Sequence, residues 1–253
     1  MKDSTIYNVR VIERAMQILA CFDDEHPEMS LAEIARAAGL SPATALRILT
    51  TLHGGGYVER AAGGEKYRLG PRLMEMGMGV VRRLGVRRLA KPYMVALEQR
   101  FEETCDLSVF IRDEMLCVEV VQSRRALRIA ATPGYRSPLH CTASGKVFLA
   151  HLSPEEAAPI LAAPLQRYTD KTITSPDRLM EHLEGIRARG YAMDDEELGL
   201  GVRAVAAPIR DSDGKVVAVV GMPGPVERMG EQRVREIAVA LIAAAKDVSA
   251  RMG

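Results

Sequence analysis

Ser30-Leu-Ala-Glu33-Ile34-Ala-Arg-Ala-Ala-Gly39-Leu40, followed by Ser41-Pro42-Ala43-Thr44-Ala-Leu46-Arg47-Ile48-Leu49-Thr50-Thr-Leu52, decides the fold of the first third of the chain. Ser30 and Glu33 have the spacing of a capping box, in which a serine hydroxyl and a glutamate carboxylate each satisfy a free backbone N–H at a helix start. Ser41 before Pro42 repeats the signal, with proline at the first helical position, where no N–H is needed. Gly39 stands where the first helix needs a left-handed residue to stop. The spacing therefore predicts two short helices joined by a turn of a few residues, a helix-turn-helix. Leu31, Ile34 and Ala35 are expected to pack against Leu46, Leu49 and Leu52. The second helix then keeps an outer face of Ala43, Thr44, Arg47 and Thr50. Small residues let a helix enter a major groove, and Arg47 is the donor suited to a guanine edge or a phosphate.

The residues after the second helix strengthen that reading. Beyond Gly54-Gly55-Gly56, two short β-rich runs around Tyr57-Val58 and Tyr67-Arg68-Leu69 flank the turn-forming Ala-Ala-Gly63-Gly64. A hairpin directly after a recognition helix is a wing, and its Lys66 and Arg68 are placed for phosphate. Ahead of the unit, Ile12, Ala15, Met16, Leu19 and Phe22 carry helical spacing and are expected to complete a small core, with Arg14 off that stripe as a further phosphate candidate. Ser41, at the helix start, joins the candidate DNA-binding set.

Pro71 opens a helical stretch read as a linker helix over 71–88, interrupted by Gly77, Gly79 and Gly85. A further helix is expected over about 89–103. The period then changes. Asp106–Ile111 and Met115–Val121 read as a hairpin, Leu127–Ala130 as a third strand, and Thr142–Leu152 as a helix. Ser153-Pro154 and Ser175-Pro176 start two more helices. Val205–Ile209 and Lys215–Val220 are strands joined by Asp211-Ser-Asp213-Gly214, a hairpin signal. Val226–Met252 closes the chain as an amphipathic helix. Antiparallel strands flanked by helices make an α+β domain.

Composition bounds the function. The chain of 253 residues carries a net charge of +1, but residues 30–88 hold 10 Lys/Arg against 4 Asp/Glu. That is a modest basic footprint around the winged stretch, weaker than that of a nonspecific nucleic-acid coater. The four cysteines form no Cys-x-x-Cys pair, and the five histidines do not fall at metal-ligand spacing, so neither a disulfide framework nor a metal centre is expected. No apolar run reaches the ~20 residues that span a bilayer, and the N-terminus lacks the apolar run of a signal peptide. A cytoplasmic protein without membrane partners is expected.

The residues resemble the IclR family of bacterial transcriptional regulators over nearly the whole chain. The N-terminal pieces are Val11-Ile-Glu-Arg-Ala-Met-Gln-Ile-Leu19 and Leu31–Leu40. The more specific pieces are Pro138-Leu-His-Cys-Thr-Ala-Ser-Gly-Lys146, Arg167-Tyr-Thr169, Arg189-Gly-Tyr191, Asp194-Asp-Glu-Glu197, Gly201-Val-Arg203 and Ala206-Ala-Pro208. The resemblance implies a two-domain chain: an N-terminal α/β winged helix-turn-helix (1–70), a linker helix (71–88) and a C-terminal α+β, GAF-like effector-binding domain (89–253). It implies a double-stranded DNA operator near catabolic genes, a small organic acid effector and self-association into dimers, often paired into tetramers. No cofactor is implied. Carried over by motif, the effector pocket falls on Ala143, Ser144, Asp194, Ala204, Gly221 and Pro223. Glyoxylate- and pyruvate-type members have two serines where Gly221 and Pro223 stand, and the motif often has cysteine where Ala204 stands. Three polar positions are thus lost, which implies a less polar or larger effector, such as an aromatic acid.

One enzymatic alternative stands beside this. Cys141, His140, Lys146 and Asp194 are residue types for a nucleophile and base, and would give hydrolase or acyl-transfer activity through Cys141. An extended run puts His140 on the face opposite Cys141, and Lys146 lacks the upstream glycine of a phosphate loop. The expected catalytic set is therefore empty.

Overall fold

Both serine signals form the caps that their spacing asks for. A computed structural model of the chain describes residues 9–23, 25–83 and 85–252. At the start of α2 (Leu31–Ala37) the Glu33 carboxylate accepts the Ser30 backbone N–H at 2.7 Å, and Ser30 Oγ accepts the Glu33 N–H. At the start of α3 (Pro42–Gly54) Ser41 Oγ accepts the Thr44 N–H. Gly39 lies between them at φ +63°.

The chain divides into two units, Met1–Arg83 and Leu84–Gly253. In the first, α1 (Arg10–Leu19) packs with α2 and α3 around Ile18, Ile34, Ala35, Ala45, Ile48 and Leu49. Two apolar stripes differ from the sequence reading. On α1 the buried line is Ala15, Ile18, Leu19 and then Phe22, while Ile12 and Met16 are exposed. At ~100° per residue, Met16 and Ile12 sit about 200° and 240° around the helix from Ile18. On α3 it is Ala45 and Ile48 that join Leu49, and Leu46 is 41% exposed. The wing is β2 (Val58–Arg60) against β3 (Lys66–Leu69), with Arg60 opposite Tyr67. An unanticipated two-residue strand, β1 (Met29–Ser30), pairs with the other edge of β3 through Met29 and Tyr67.

The helical stretch after the wing is α4 (Pro71–Arg83), and the next helix, α5 (Gly85–Phe101), begins earlier than the expected 89. Leu84 and the side chains of Met78, Val80, Val81, Arg82 and Arg83, all within the expected linker helix, lie outside the described residues.

The second unit is built on a six-stranded antiparallel sheet. Its strands are β4 (Cys105–Ile111), β5 (Glu114–Val121), β6 (Arg136–Ser137), β7 (Ala192–Asp195), β8 (Val202–Arg210) and β9 (Val216–Pro225), in the order β6-β5-β4-β9-β8-β7. One face packs on α5 and α9 (Glu231–Ser249) through Met94, Phe101, Leu107, Val109, Val205, Ile237 and Leu241. The other face packs on α6 (Ala143–Ala150) and α8 (Pro176–Arg189) through Met115, Val147, Leu149, Leu183 and Val219. The serine-proline start at 153 gives α7 (Pro154–Ala162), with its own capping box.

Three expectations are corrected. Leu127–Ala130 is not a strand but an irregular segment, and the third strand of that side is β6. Side chains strap this segment in place of a ladder: Arg228 Nη2 donates to Leu127 O at 3.0 Å, Thr104 Oγ1 to Ile129 O at 2.8 Å, and Gln122 Nε2 to Ala131 O. The last helix begins at Glu231, because Val226–Arg228 form a turn after β9. β9 itself runs on through Gly221 and Pro223, beyond the expected end at 220.

Gly145 fixes how closely α6 meets the segment before it. A Cβ there would lie 2.4 Å from the Cα and carbonyl oxygen of Leu139. Backbone cannot yield as a flexible side chain does. Gly145→Ala is expected to cost about 1–3 kcal/mol and to lower the melting temperature of this unit by about 2–12 °C in scanning calorimetry.

Candidate functional site

The outer face of α3 presents Ala43, Leu46, Arg47 and Thr50 to solvent, with Thr44 half-buried. The hydroxyls on it are partly committed. Ser41 Oγ and Thr44 Oγ1 are 2.9 Å apart, and Thr50 Oγ1 donates to Leu46 O at 2.8 Å. The Arg47 guanidinium makes no hydrogen bond or ion pair among the described residues, so its donors remain for an acceptor from outside. The wing cations differ from one another. Lys66 is exposed at the start of β3. Arg68 Nε is bonded to Glu59 Oε1 at 2.7 Å across the hairpin, with Glu28 Oε1 3.7 Å from Nη1. Arg68 is therefore partly committed to acids of its own unit, unlike Lys66. Arg14 is half-buried on α1.

The six pocket positions taken from the motif converge in the second unit. Ala143, Ser144, Asp194, Ala204, Gly221 and Pro223 all line one cavity of about 240 Å³. Antiparallel register brings them together: Asp194 stands opposite Ala204, Ala204 opposite Pro223, and Gly221 opposite Asp106. The start of α6 closes the cavity from above. There Thr142 caps by accepting the Gly145 N–H at 3.0 Å, and Ala143 and Ser144 occupy the first turn, where helix N–H groups point outward. A larger, open groove of about 930 Å³ under α7 is lined by apolar residues such as Phe110, Phe148 and Ile160, and contains none of these six.

The lining residues not read from the sequence include Asp106 and Ser108 on β4, Cys117 on β5, the strapped Ile129–Ala131 segment, and Tyr135 with Ser137. A signal for the first pair was present. Cys105, Leu107 and Val109 alternate with Asp106 and Ser108, so one face of a central strand is polar inside a domain. Asp106 takes the space above Gly221, because a Cβ at 221 would sit 2.8 Å from Asp106 Oδ1 and 3.3 Å from Ser144 Oγ. The polarity lost at Gly221 therefore returns from the neighbouring strand. No Lys, Arg or His is among the described lining residues. Burial pushes Asp106 up to about 6, against the hydroxyl of Ser108, which donates to Oδ2 at 3.0 Å. Burial also pushes Asp194 up to about 7, although Oδ1 accepts the Glu197 N–H at 2.7 Å.

Beside the cavity, Lys146 is fully buried. Its Nζ donates to the Glu197 carboxylate and, at 2.6 Å, to Met193 O. The neighbouring His140 does not serve the candidate nucleophile. Cys141 is fully buried and burial pushes its thiol up to about 12, while His140 Nε2 faces Gln166 O at 2.8 Å. No group of three or more metal-ligating side chains occurs among the described residues, and no described helix is long and apolar enough to cross a membrane. A carboxyl with a raised folded-state value binds its proton more tightly folded than unfolded. Stability therefore falls as pH rises from the ordinary value of 3.8 through about 7. Asp194→Asn keeps the acceptor for Glu197 and removes that loss. Its unfolding midpoint is expected to equal wild type below about pH 4 and to exceed it by a few degrees above pH 7, read in a calorimetric pH series.

Comparison with known proteins agrees with this geometry. Residues 11–62 match the family described as IclR helix-turn-helix domain, and residues 78–250 the one described as Bacterial transcriptional regulator IclR C-terminal. The chain is 35% identical to the HTH-type transcriptional regulator BhcR of Paracoccus denitrificans, covering 95% of this chain and 86% of that one. It is 31% identical to the transcriptional repressor IclR of Escherichia coli, over 97% and 90%. An IclR homologue of Microbacterium hydrocarbonoxydans, solved in complex with 4-hydroxybenzoate, superposes with a TM-score of 0.84 at 29% identity, covering 96% of this chain and 98% of that one. The chain belongs to the IclR family of DNA-binding transcriptional regulators, with an N-terminal helix-turn-helix domain and a C-terminal effector-binding domain.

Proposed function

We propose that a small organic acid, with an aromatic ring, occupies the cavity under α6 and alters the affinity of the winged unit for an operator near catabolic genes. The observation that carries this is the cavity itself. Its volume of about 240 Å³ exceeds the ~150 Å³ that holds a benzene ring, and suits one ring with a substituent or two. A two- or three-carbon keto acid leaves most of it unfilled. The bound 4-hydroxybenzoate of the Microbacterium relative supports the same class. The carboxylate goes to the first turn of α6 at Ala143 and Ser144, where the helix dipole favours negative charge, and Asp194, Ala204, Gly221 and Pro223 form the wall.

On the DNA side, Arg47 reads a base edge or phosphate from α3, with Ser41, Ala43, Thr44 and Thr50 at the groove and Arg14, Lys66 and Arg68 toward the backbone. The protein acts in the cytoplasm as a dimer, with pairing into tetramers as the higher form. Val11, Ile12 and Met16 on α1 and Met74 and Met76 on α4 are exposed apolar side chains that support self-association. Paired recognition helices read half-sites about one DNA turn or a multiple apart, so an effector acts by binding one arrangement of the pair better than the other. No catalytic step is assigned, since burial pushes the Cys141 thiol up to about 12 and His140 is turned to Gln166 O.

Two measurements test the reading. Arg47→Ala is expected to weaken binding to the protein's own upstream DNA by about 5- to 100-fold in fluorescence anisotropy at fixed salt, with effector affinity unchanged; equal loss of both contradicts the separation of roles. Size-exclusion with light scattering is expected to give a dimer or tetramer, and Met16→Lys to shift it toward monomer.

A further inference from the structure

The cavity has an acceptor that an effector's carboxylate group does not satisfy. Asp106 stands in register with Gly221 on the neighbouring strand, and both face the cavity. Its Oδ1 occupies the position a side chain at 221 would need, so Asp106 in this pose and a serine at 221 exclude each other. The groups around it are few. On its own strand Ser108 Oγ donates to Oδ2 at 3.0 Å. From β5 come Cys117 and, beyond it, Glu119, which is paired with Arg87 at 2.5 Å and Lys91 at 3.2 Å. From β7 comes Asp194, from α6 Ser144, and from the strapped segment side Tyr135. None of the described lining residues is a cation. Ser108 is the only side chain hydrogen-bonded to Asp106 among the described residues, and its bond goes to Oδ2, so Oδ1 is open to a donor from a ligand; at pH 8 the carboxyl is ionised and accepts only.

Resting on the reading that an organic acid fills the cavity, we infer that Asp106 selects among such acids for one that also carries a hydrogen-bond donor, a hydroxyl or amino group, set away from its carboxylate. The acid's own carboxylate goes to the first turn of α6, and the donor goes to Asp106 Oδ1. An acid without the donor strips water from Asp106 and returns nothing, which costs more than the new bond gains. A site built around a polar partner rejects the analogue that lacks it far more strongly than an apolar wall rejects a methylene. The same arrangement keeps a carboxylate away from Asp106 itself and at the α6 end, because two negative charges would otherwise stand side by side without a cation.

The experiment is isothermal calorimetry on the full chain at pH 8 with matched acids: benzoate against 3-hydroxy-, 4-hydroxy- and 4-aminobenzoate, and butyrate against 3-hydroxybutyrate. At least one donor-bearing acid is expected to bind about 10-fold or more tightly than its unsubstituted partner. Asp106→Leu, which removes the acceptor, is expected to erase that advantage while still binding the unsubstituted acid. Asp106→Asn keeps the shape and one acceptor and is expected to reduce the advantage, which covers the case where the leucine variant does not fold. Equal affinities within each pair, or an advantage that survives both substitutions, overturns the inference while leaving the organic-acid reading intact. No binding by any of these acids in the wild type overturns the organic-acid reading, and the inference falls with it.

Discussion

The buried pair of Lys146 and Glu197 holds the effector domain to one arrangement. Lys146 rises from the middle of α6, and Glu197 follows the end of β7. Their contact fixes the two walls that face each other across the cavity. Glu197 is itself locked, with its N–H given to Asp194 and its carbonyl accepting Thr172 Oγ1 at 2.7 Å. Such a pair adds little net stability over an apolar replacement, because both ions are stripped of water. Losing one partner, however, costs about 3–5 kcal/mol. Its value here is positional: it ties α6, which carries Ala143, to the segment directly after Asp194.

Much of the DNA-binding unit was legible because its signals are local. A capping box, a serine-proline start and a left-handed glycine each act within four residues, and each formed as spacing required. The apolar stripes were less legible. Choosing Leu46 over Ala45 follows from side-chain size, yet the buried face of α3 is set by where α1 and α2 press on it, and small Ala45 fits that crossing. Ile12 and Met16 on α1 show the same limit: an apolar residue at helical spacing says nothing about which of two apolar sides meets the core.

The cavity was legible in part for a different reason. Its six motif positions lie on four separate segments, and family resemblance located them where periodicity alone had no means to. Asp106 escaped because its significance depends on register. Only the pairing of β4 with β9 puts it over Gly221, and strand register is not encoded in either strand by itself. The segment Leu127–Ala130 escaped because a β-branched residue among apolar ones reads as a strand, whereas here Thr104, Gln122 and Arg228 take up its carbonyls. Those carbonyls are satisfied without a ladder, so the segment serves as a wall rather than as an edge.

The internal pairing of the wing cations bears on how the protein responds to salt. Arg68 is held by Glu59 and Glu28 and Arg72, just after the wing, by Glu75 at 2.8 Å, so both are charge-paired within the protein, whereas Arg60 is held by neutral partners, Gly64 O and the Tyr67 hydroxyl at 3.0 Å. A cation that exchanges an internal acid for a phosphate neutralises no additional charge overall, so it displaces fewer counterions from the duplex than a free one does. Under the proposed docking, the ions released come first from cations with no acid partner among the described residues, such as Arg47, Arg60 and Lys66, and not from the full basic count of residues 30–88. Under that proposal the winged unit keeps more of its hold on DNA as ionic strength rises than its composition suggests.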